Sequence, residues 1–411
     1  MSQSAPQSAP AAQFAPAAPI LILLAYLAFI SLGLPDALLG VAWPSISAEF
    51  GLPIGYLGLL LACASVGYLM ASFAGGWLIA RLGIGPLLTV SCLLAMASLI
   101  GYATVPMGWL LFITSYFLGM GGGAIDVGLN IYAAAHFSPR HVNWLHACYG
   151  VGAMLGPLIV TAVLSAGLVW RWAYLLTAGL LALMSLAFWF SRHLWDQPTA
   201  PAPDAPASLP SPPTVGTSLR RPLVWFSIAL FFIYTGLEIT AGQWSYTLLT
   251  EGRGMDPTQA GVWIGLYWGS LTVGRIVFGI ISERVAPDAI LRLCTLGLLA
   301  STLLIWQSEI TLLNSIGLAL TGFLLAPIFP LMIARTPARI GAAAPYVISF
   351  QVAAASIGAG TIPAATGWLV EQLGLEAVGG VIGGLALGVV LLHEAVLLLG
   401  SARATTPVPE Q

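Results

Sequence analysis

Twelve long apolar runs dominate this chain, at 19–43, 53–80, 86–105, 108–135, 143–168, 171–192, 222–249, 258–282, 288–307, 311–334, 342–370 and 377–400. A helix needs about 20 such residues to cross the hydrocarbon core of a bilayer. Backbone N–H and C=O groups find no water there, so a spanning segment must be a helix or part of a closed barrel. Runs of this length without strict alternation read as helices. The chain is 58% hydrophobic and 7% charged, with a mean hydropathy of +0.93, whereas soluble domains carry about 25% charged residues. The expectation is an all-α, multi-pass membrane protein of twelve transmembrane helices, with the lipid bilayer as a partner. A net charge of −2 argues against a nucleic-acid partner. Cys63, Cys92, Cys148 and Cys294 all lie inside apolar runs, without metal-ligand or disulfide spacing, and read as packing residues. No metal site and no cofactor is expected.

Most connections are short, which makes successive helices antiparallel neighbours. One differs. Residues 193–221 are rich in Pro, Ala and Ser and cannot bury a core, so they read as a linker. The expected organisation is a disordered tail at 1–18, a six-helix bundle at 19–192, a cytoplasmic linker at 193–221, a second six-helix bundle at 222–400 and a tail at 401–411. The first eighteen residues lack the basic region of a secretory signal, so the first apolar run is expected to be retained. Two pseudo-symmetric sixes are the layout of a duplicated transporter. With the N-terminus in the cytoplasm, the inner loops hold Arg81, Arg140, Arg192, Arg220, Arg221, Arg284, Arg292, Arg335, Arg339 and Arg403, and the outer loops only Arg171 and Arg253. The positive-inside rule therefore places both termini in the cytoplasm.

Three carboxylic acids, Asp36, Asp126 and Glu238, interrupt the apolar runs. An ionised side chain at mid-bilayer costs roughly 2.5–3.5 kcal/mol even on the gentler scale. Each acid must be protonated, paired or facing a wet cavity. Asp126 lies beside a glycine-rich segment where helices can approach closely, and Asp36 follows Pro35. Both are candidates for loading a proton, against the alternative of structural acids. Glu238 and Arg275 read as partners across the seventh and eighth runs, either as a buried ion pair or as substrate ligands. Asn130, Asn143, His146 and Gln243 suit a polyhydroxylated ligand, which needs many donors and acceptors. They equally suit hydrogen bonds between helices. Tyr234, Trp244 and Trp268 are placed for stacking, whereas Trp43, Trp109, Trp170, Trp172, Trp189 and Trp225 fall at helix ends, where an aromatic belt is expected. His393 and Glu394 read as contacts with the inner interface.

The halves echo one another. Asp36 and Glu238 are each followed four residues later by glycine, Gly40 and Gly242. Gly76 through Arg81 and Gly279 through Arg284 match the pattern Gly-x-x-x-acid-Arg, with Ala80 at the acid position of the first copy and Glu283 in the second. Twelve helices in two sixes with this motif resemble the major facilitator superfamily. The resemblance implies that fold and a cytoplasmic gate using Arg81, Glu283 and Arg284.

Within it, the chain is most similar to the fucose–galactose–proton symporter group. The residues are Gly33, Asp36, Gly40 and Pro44; Gly119, Gly121, Asp126 and Asn130; Asn143, His146, Gly150, Gly152, Gly156 and Pro157; Tyr234, Gly236, Glu238, Gly242 and Trp244; Gly274 and Arg275; and Phe329 and Pro330. That resemblance implies roles in proton coupling and sugar binding for Asp126 and Asp36; the residue chemistry adds Asn130, Asn143, His146, Tyr234, Glu238, Gln243, Trp244, Trp268 and Arg275 as candidate substrate contacts. The fourth-run acid is typically Glu in that group; here Asp126 is one methylene shorter. The implied function is secondary active symport of a small polar solute, a sugar or polyol, driven by a proton gradient in the cell's inner (plasma) membrane, by a monomer and without enzymatic chemistry. The alternative is a proton-driven exporter of amphipathic compounds. Gly152, Gly156 and Pro157 match part of the exporters' antiporter motif, but Val160, Thr161 and Asn143 depart from it.

Overall fold

The computed structural model describes residues 19–195, 219–307 and 310–401; within the helices the side chains of Pro139, Asn143, Gln307, Thr311, Ala342, Gly400 and Ser401 are not described. The two tails, Arg403 and most of the linker lie outside the described residues. Among the described residues, twelve helices are long and apolar enough to span a bilayer: Pro19–Phe50, Tyr56–Leu82, Ile84–Thr104, Leu110–His136, Arg140–Ser165, Arg171–Leu194, Pro222–Gly252, Pro257–Ile281, Pro287–Trp306, Leu312–Ile340, Ala344–Leu373 and Ala377–Leu399. They are spans 1 to 12 below.

Each span coincides with an expected run, and the ends differ where polar residues remain helical. Span 1 continues past the expected end at 43 to Phe50. Hydropathy stops at the first polar residues, whereas the helix ladder runs on until Gly51 takes a left-handed conformation (φ 61°). The extra turns carry Glu49 outward. Span 1 is also interrupted at Ala37, directly after Pro35 and Asp36. Proline lacks an N–H and clashes with the preceding turn, which disfavours an unbroken helix there. Span 10 breaks in the same way around Pro327.

The packing has an internal two-fold pattern. In the first six spans the principal contacts are 1–5, 1–6, 2–4, 3–4 and 3–6. Adding six to each number gives the principal contacts of the second half, 7–11, 7–12, 8–10, 9–10 and 9–12. Between halves, spans 5–8 and 2–11 pair, and these exchange under the same operation; the smaller 1–7 contact maps onto itself. Glycine makes the 5–8 seam. Gly261, Gly265 and Gly269 of span 8 lie against Thr161, Leu158 and Met154 of span 5, and Gly150 of span 5 lies against Thr272. Small residues let membrane helices approach closely enough for van der Waals attraction to hold them.

Alternation of the spans defines two ends: a terminal end, bearing the starts of spans 1 and 7, and a distal end. Each half is tied at its distal end by one arginine. Arg171 at the start of span 6 pairs with Glu49 of span 1 (2.5 Å) and donates to the Ala103 carbonyl of span 3 (2.7 Å). Arg253 after span 7 pairs with Glu376 before span 12 (2.7 Å) and donates to the Ile305 carbonyl of span 9 (2.9 Å). These are equivalent sites, with the acid and base exchanged between the halves. The Arg253 guanidinium holds the Glu376 carboxyl below the ordinary carboxylate value. Trp170 donates to Glu49 (2.6 Å) and Trp43 to the Ile54 carbonyl (2.7 Å), and both rings are buried. They anchor the protein interior rather than a lipid-facing belt, whereas Trp109, Trp172, Trp189 and Trp225 are about half exposed or more. The four cysteines are free, with Cys92 and Cys294 buried.

Candidate functional site

A cavity of about 1150 Å³ lies between the halves. Its mouth is at the terminal end, among Arg140, Trp144, Ser282 and Glu283, and its floor is formed by Leu39, Leu60, Asp36 and Gln243. Beyond the floor the halves close on each other. Gly55 lies against Gly367 and Gly58 against Pro363. Glu371 of span 11 accepts the Gly55 N–H at the start of span 2 (2.6 Å), and Ser165 shares a hydrogen bond with Thr258 (2.9 Å). The cavity is open to the terminal end and closed at the distal one.

Asp36 stands at the interruption of span 1 and faces the cavity. Its carboxylate accepts from Tyr149 of span 5 (2.7 Å), and its backbone carbonyl accepts from Gln243 Nε2 of span 7 (2.5 Å). Gly40 makes the second contact feasible, because a Cβ there would meet the Gln243 backbone oxygen at 2.7 Å and Oε1 at 2.8 Å. Asp126 of span 4 accepts from Tyr68 of span 2 (2.6 Å) and from Asn130 one turn on (2.9 Å). Among the described residues neither acid forms an ion pair. Both are held by neutral donors, so either can change charge without stranding a buried cation.

The second half is built differently. Glu238 is buried, and Arg275 reaches its Oε1 at 3.8 Å, too long for a hydrogen bond. Tyr267 donates to the Glu238 backbone carbonyl (2.8 Å). Three residues of this half that line the cavity each hold a buried side-chain atom without a hydrogen-bond partner: Thr235 Oγ1, Gln243 Oε1 and Trp268 Nε1. Gln243 and Trp268 are each only 2% exposed, and unpaired buried polar groups cost about 1–3 kcal/mol apiece.

Of the residues singled out in the sequence, Asp36, Asp126, Asn130, His146, Glu238, Gln243, Trp268, Arg275 and Glu283 line this one cavity. His146 packs edge-on against Phe29. Tyr234 and Trp244 are not in the lining: their polar atoms bond the Leu325 and Pro363 carbonyls (both 3.2 Å). The Asn143 side chain lies outside the described residues. At the terminal end Arg81 stacks on Trp77, 4.6 Å from the ring centre. Among the described residues, Arg81, Glu283 and Arg284 form no ion pair; the charged ties there are Asp288 with Arg335 and Arg339, and Arg292 with Glu394. His393 is buried beside Glu394. The sequence reading missed Tyr68, Tyr149 and Thr235. The usable signal for Tyr149 was its place one turn after His146 on the same helix; nothing local marked Tyr68.

The model of the Major Facilitator Superfamily matches residues 25–344 and 226–411. The chain belongs to that superfamily. It is accordingly a transporter and not an enzyme. Among curated relatives, Protein TsgA homolog of Erwinia tasmaniensis is 22% identical over 86% of this chain and 89% of its own. Glucose/mannose transporter GlcP of Bacillus subtilis is 19% identical over 85% and 88%. Sodium-dependent glucose transporter 1 of Homo sapiens is 23% identical over 67% and 59%. Among solved structures, the nucleoside transporter NupG matches with a TM-score of 0.70 at 14% identity over 92% of this chain and 99% of that one. A bacterial homologue of the human lysosomal transporter Spinster, in an inward-facing and occupied conformation, matches at 0.68, with 12% identity over 95% and 98%. These likenesses establish the fold.

Proposed function

We propose that this transporter moves a small neutral polyhydroxylated solute, a sugar or polyol, by alternating access coupled to proton symport across the cell's plasma membrane. Both termini face the cytoplasm in this reading, so the open mouth is the inner one. The observation that carries it is the way the first half holds its acids. Asp36 and Asp126 are bonded by Tyr149, Tyr68 and Asn130 rather than by cations. Taking up or releasing a proton then changes the charge of the cavity without breaking an ion pair. The neutral polar residues Asn130, Thr235 and Gln243 in the lining favour a hydroxyl-bearing solute. The glucose and mannose named for two relatives point to the same class.

Uptake of D-glucose and D-mannose into proteoliposomes, with and without an inward proton gradient, tests the reading. One pH unit supplies about 1.4 kcal/mol per proton, enough for roughly tenfold accumulation. Accumulation should collapse with the gradient and in Asp126→Asn, while solute exchange at equal concentrations persists. Undiminished accumulation in Asp126→Asn removes Asp126 from the coupling. A sodium gradient that replaces the proton gradient removes the proton. Loss of solute from the vesicles as protons enter would instead mark an exporter.

A further inference from the structure

We infer that the terminal end of the first bundle carries a seat for anionic phospholipid, built by Arg81 with Trp77 at the end of span 2 and by Arg192 with Trp189 at the end of span 6. The surface is apart from the transport cavity, whose lining includes none of the four. It stands whichever solute is carried, and takes from the reading above only that the terminal end faces the cytoplasm.

Charge is unbalanced there. Within residues 19–195 the acids are Asp36, Glu49 and Asp126. Two of them line the cavity, and Glu49 is tied to Arg171 at the distal end. Among the described residues no acid of this bundle is left for its terminal arginines. In the second half the acids are present: Asp288 holds Arg335 and Arg339, and Glu394 holds Arg292. Ala80 makes the difference at Arg81. It occupies the place at which the second copy of the motif carries Glu283 beside Arg284, and it is exposed. Arg81 is exposed as well and lies over the Trp77 ring, 4.6 Å from its centre. Arg192 lies over Trp189 at 4.3 Å and donates to the Trp189 carbonyl (2.7 Å). The start of span 3 falls between the two arginines. Gly85 packs against the Arg192 backbone, and Arg81 stands just before the turn at Gly83.

Aromatic rings extend from both arginines into the region of the acyl chains. Phe73 and Trp77 precede Arg81 in steps of four residues, which share a helix face, and are 80% and 57% exposed. Trp189 and Phe190 are 51% and 78% exposed. Tryptophan at the end of a membrane helix marks the headgroup level. A ring face attracts a cation but brings no compensating charge. A stacked guanidinium keeps N–H groups at its edge, and that planar edge matches phosphate oxygens in pairs. The missing acid, the interfacial rings and the free guanidinium edges together specify a phosphate ester that carries acyl chains and net negative charge. A choline lipid fits less well, because its own ammonium cancels the charge the arginines lack.

The test titrates the purified full chain in detergent with phosphatidylglycerol or phosphatidylcholine of the same acyl chains, and counts bound lipid by native mass spectrometry. Phosphatidylglycerol should bind more tightly. Arg81→Gln and Arg192→Gln should each lower that preference about fivefold, the ordinary effect of one basic residue at an anionic surface. Arg292→Gln removes the same charge from a residue that has an acid partner, and should leave the preference as it is. Ala80→Asp keeps Arg81 in place but restores the acid of the motif, and should act as Arg81→Gln does. Equal affinity for the two lipids in the parent overturns the seat. So does an Arg292→Gln effect as large as that of Arg81→Gln, which would reduce the preference to net charge. Sodium phosphate should displace no more lipid than sodium chloride of equal ionic strength; selective displacement by phosphate overturns the lipid as the occupant. The readout is binding, so failure of the sugar or proton reading leaves it unaffected.

Discussion

Adding one methyl group to Gly261 should push the protein toward its other conformation. A Cβ at that position would stand 2.8 Å from Thr161 Cβ and 2.9 Å from its Cγ2. Carbon atoms rest at about 3.5–4.0 Å, so spans 5 and 8 must separate by roughly 0.7–1.2 Å. Rotating the threonine offers no escape, because both Cβ positions are fixed by their backbones. Overpacking of this kind costs about 1–3 kcal/mol. In the alternating-access reading the seam closes only when the distal end is shut, so the cost falls on this conformation and spares one in which spans 5 and 8 have parted. The equilibrium should move about fivefold to 150-fold toward distal opening. A cysteine at Ser356, in the cavity lining, reports the change through its labelling by a membrane-impermeant maleimide applied from the terminal side. Gly261→Ala should label more slowly, by that factor if the closed form begins as the minority. Gly179→Ala, outside the cavity and with nothing within 4 Å of a Cβ, should label at the parent rate. Adding Thr161→Gly to Gly261→Ala should restore the parent rate. Slow labelling that Thr161→Gly does not rescue, or parent-like labelling in Gly261→Ala itself, would refute the argument.

Tyr149→Phe removes the hydroxyl that donates to Asp36 (2.7 Å); a hydrogen bond to a charged group is worth about 1.5–3 kcal/mol, so gradient-driven uptake should fall at least tenfold while equilibrium exchange falls less. Glu371→Ala releases the Gly55 N–H (2.6 Å), and a Ser165→Cys/Thr258→Cys pair at the closed distal end should then form its disulfide more slowly, with Glu371→Gln in between. The Arg253–Glu376 tie has a definite pH dependence. Glu376 is lowered from 4.5 by Arg253, so its contribution is fully present above that value and fades as pH falls through the lowered one. With the Glu376 side chain 58% exposed, solvent screening limits the pair to about 1 kcal/mol or less. The melting temperatures of the parent and Glu376→Gln in detergent should therefore differ at pH 7 and converge as the pH is taken well below 4.5.

The spans were legible because a bilayer imposes one requirement on every crossing segment, and hydropathy records it. Asp36, Asp126 and Glu238 stood out for the same reason: charge is expensive in that medium. Their partners did not stand out. Tyr68 and Tyr149 are ordinary in a membrane helix, and only the 2–4 and 1–5 helix contacts reveal that each faces an acid. Gln243 was visible as a polar residue, but its hold on a backbone carbonyl in the other half depends on the interruption at Ala37 and the missing side chain at Gly40. Trp43 closes the first apolar run in the sequence and Trp170 sits at a helix end, as belt residues do, yet carbonyl and carboxylate acceptors turned them inward. Gly261, Gly265 and Gly269 carried a readable spacing, since residues four apart share a helix face; which helix they would meet was not in the spacing.

The two distal ties bear on descent. If both halves came from one six-helix ancestor, Glu49 with Arg171 and Arg253 with Glu376 cannot both preserve the original order of charges. One half has traded its ends, through an intermediate with an unpaired or like-charged couple. With their side chains 24% and 41% exposed in one tie and 12% and 58% in the other, such an intermediate could survive. Selection at these corners thus acted on the presence of a bond across three helices and was indifferent to its polarity. A search for further ancestral symmetry in this chain should compare contacts position by position and ignore residue identity.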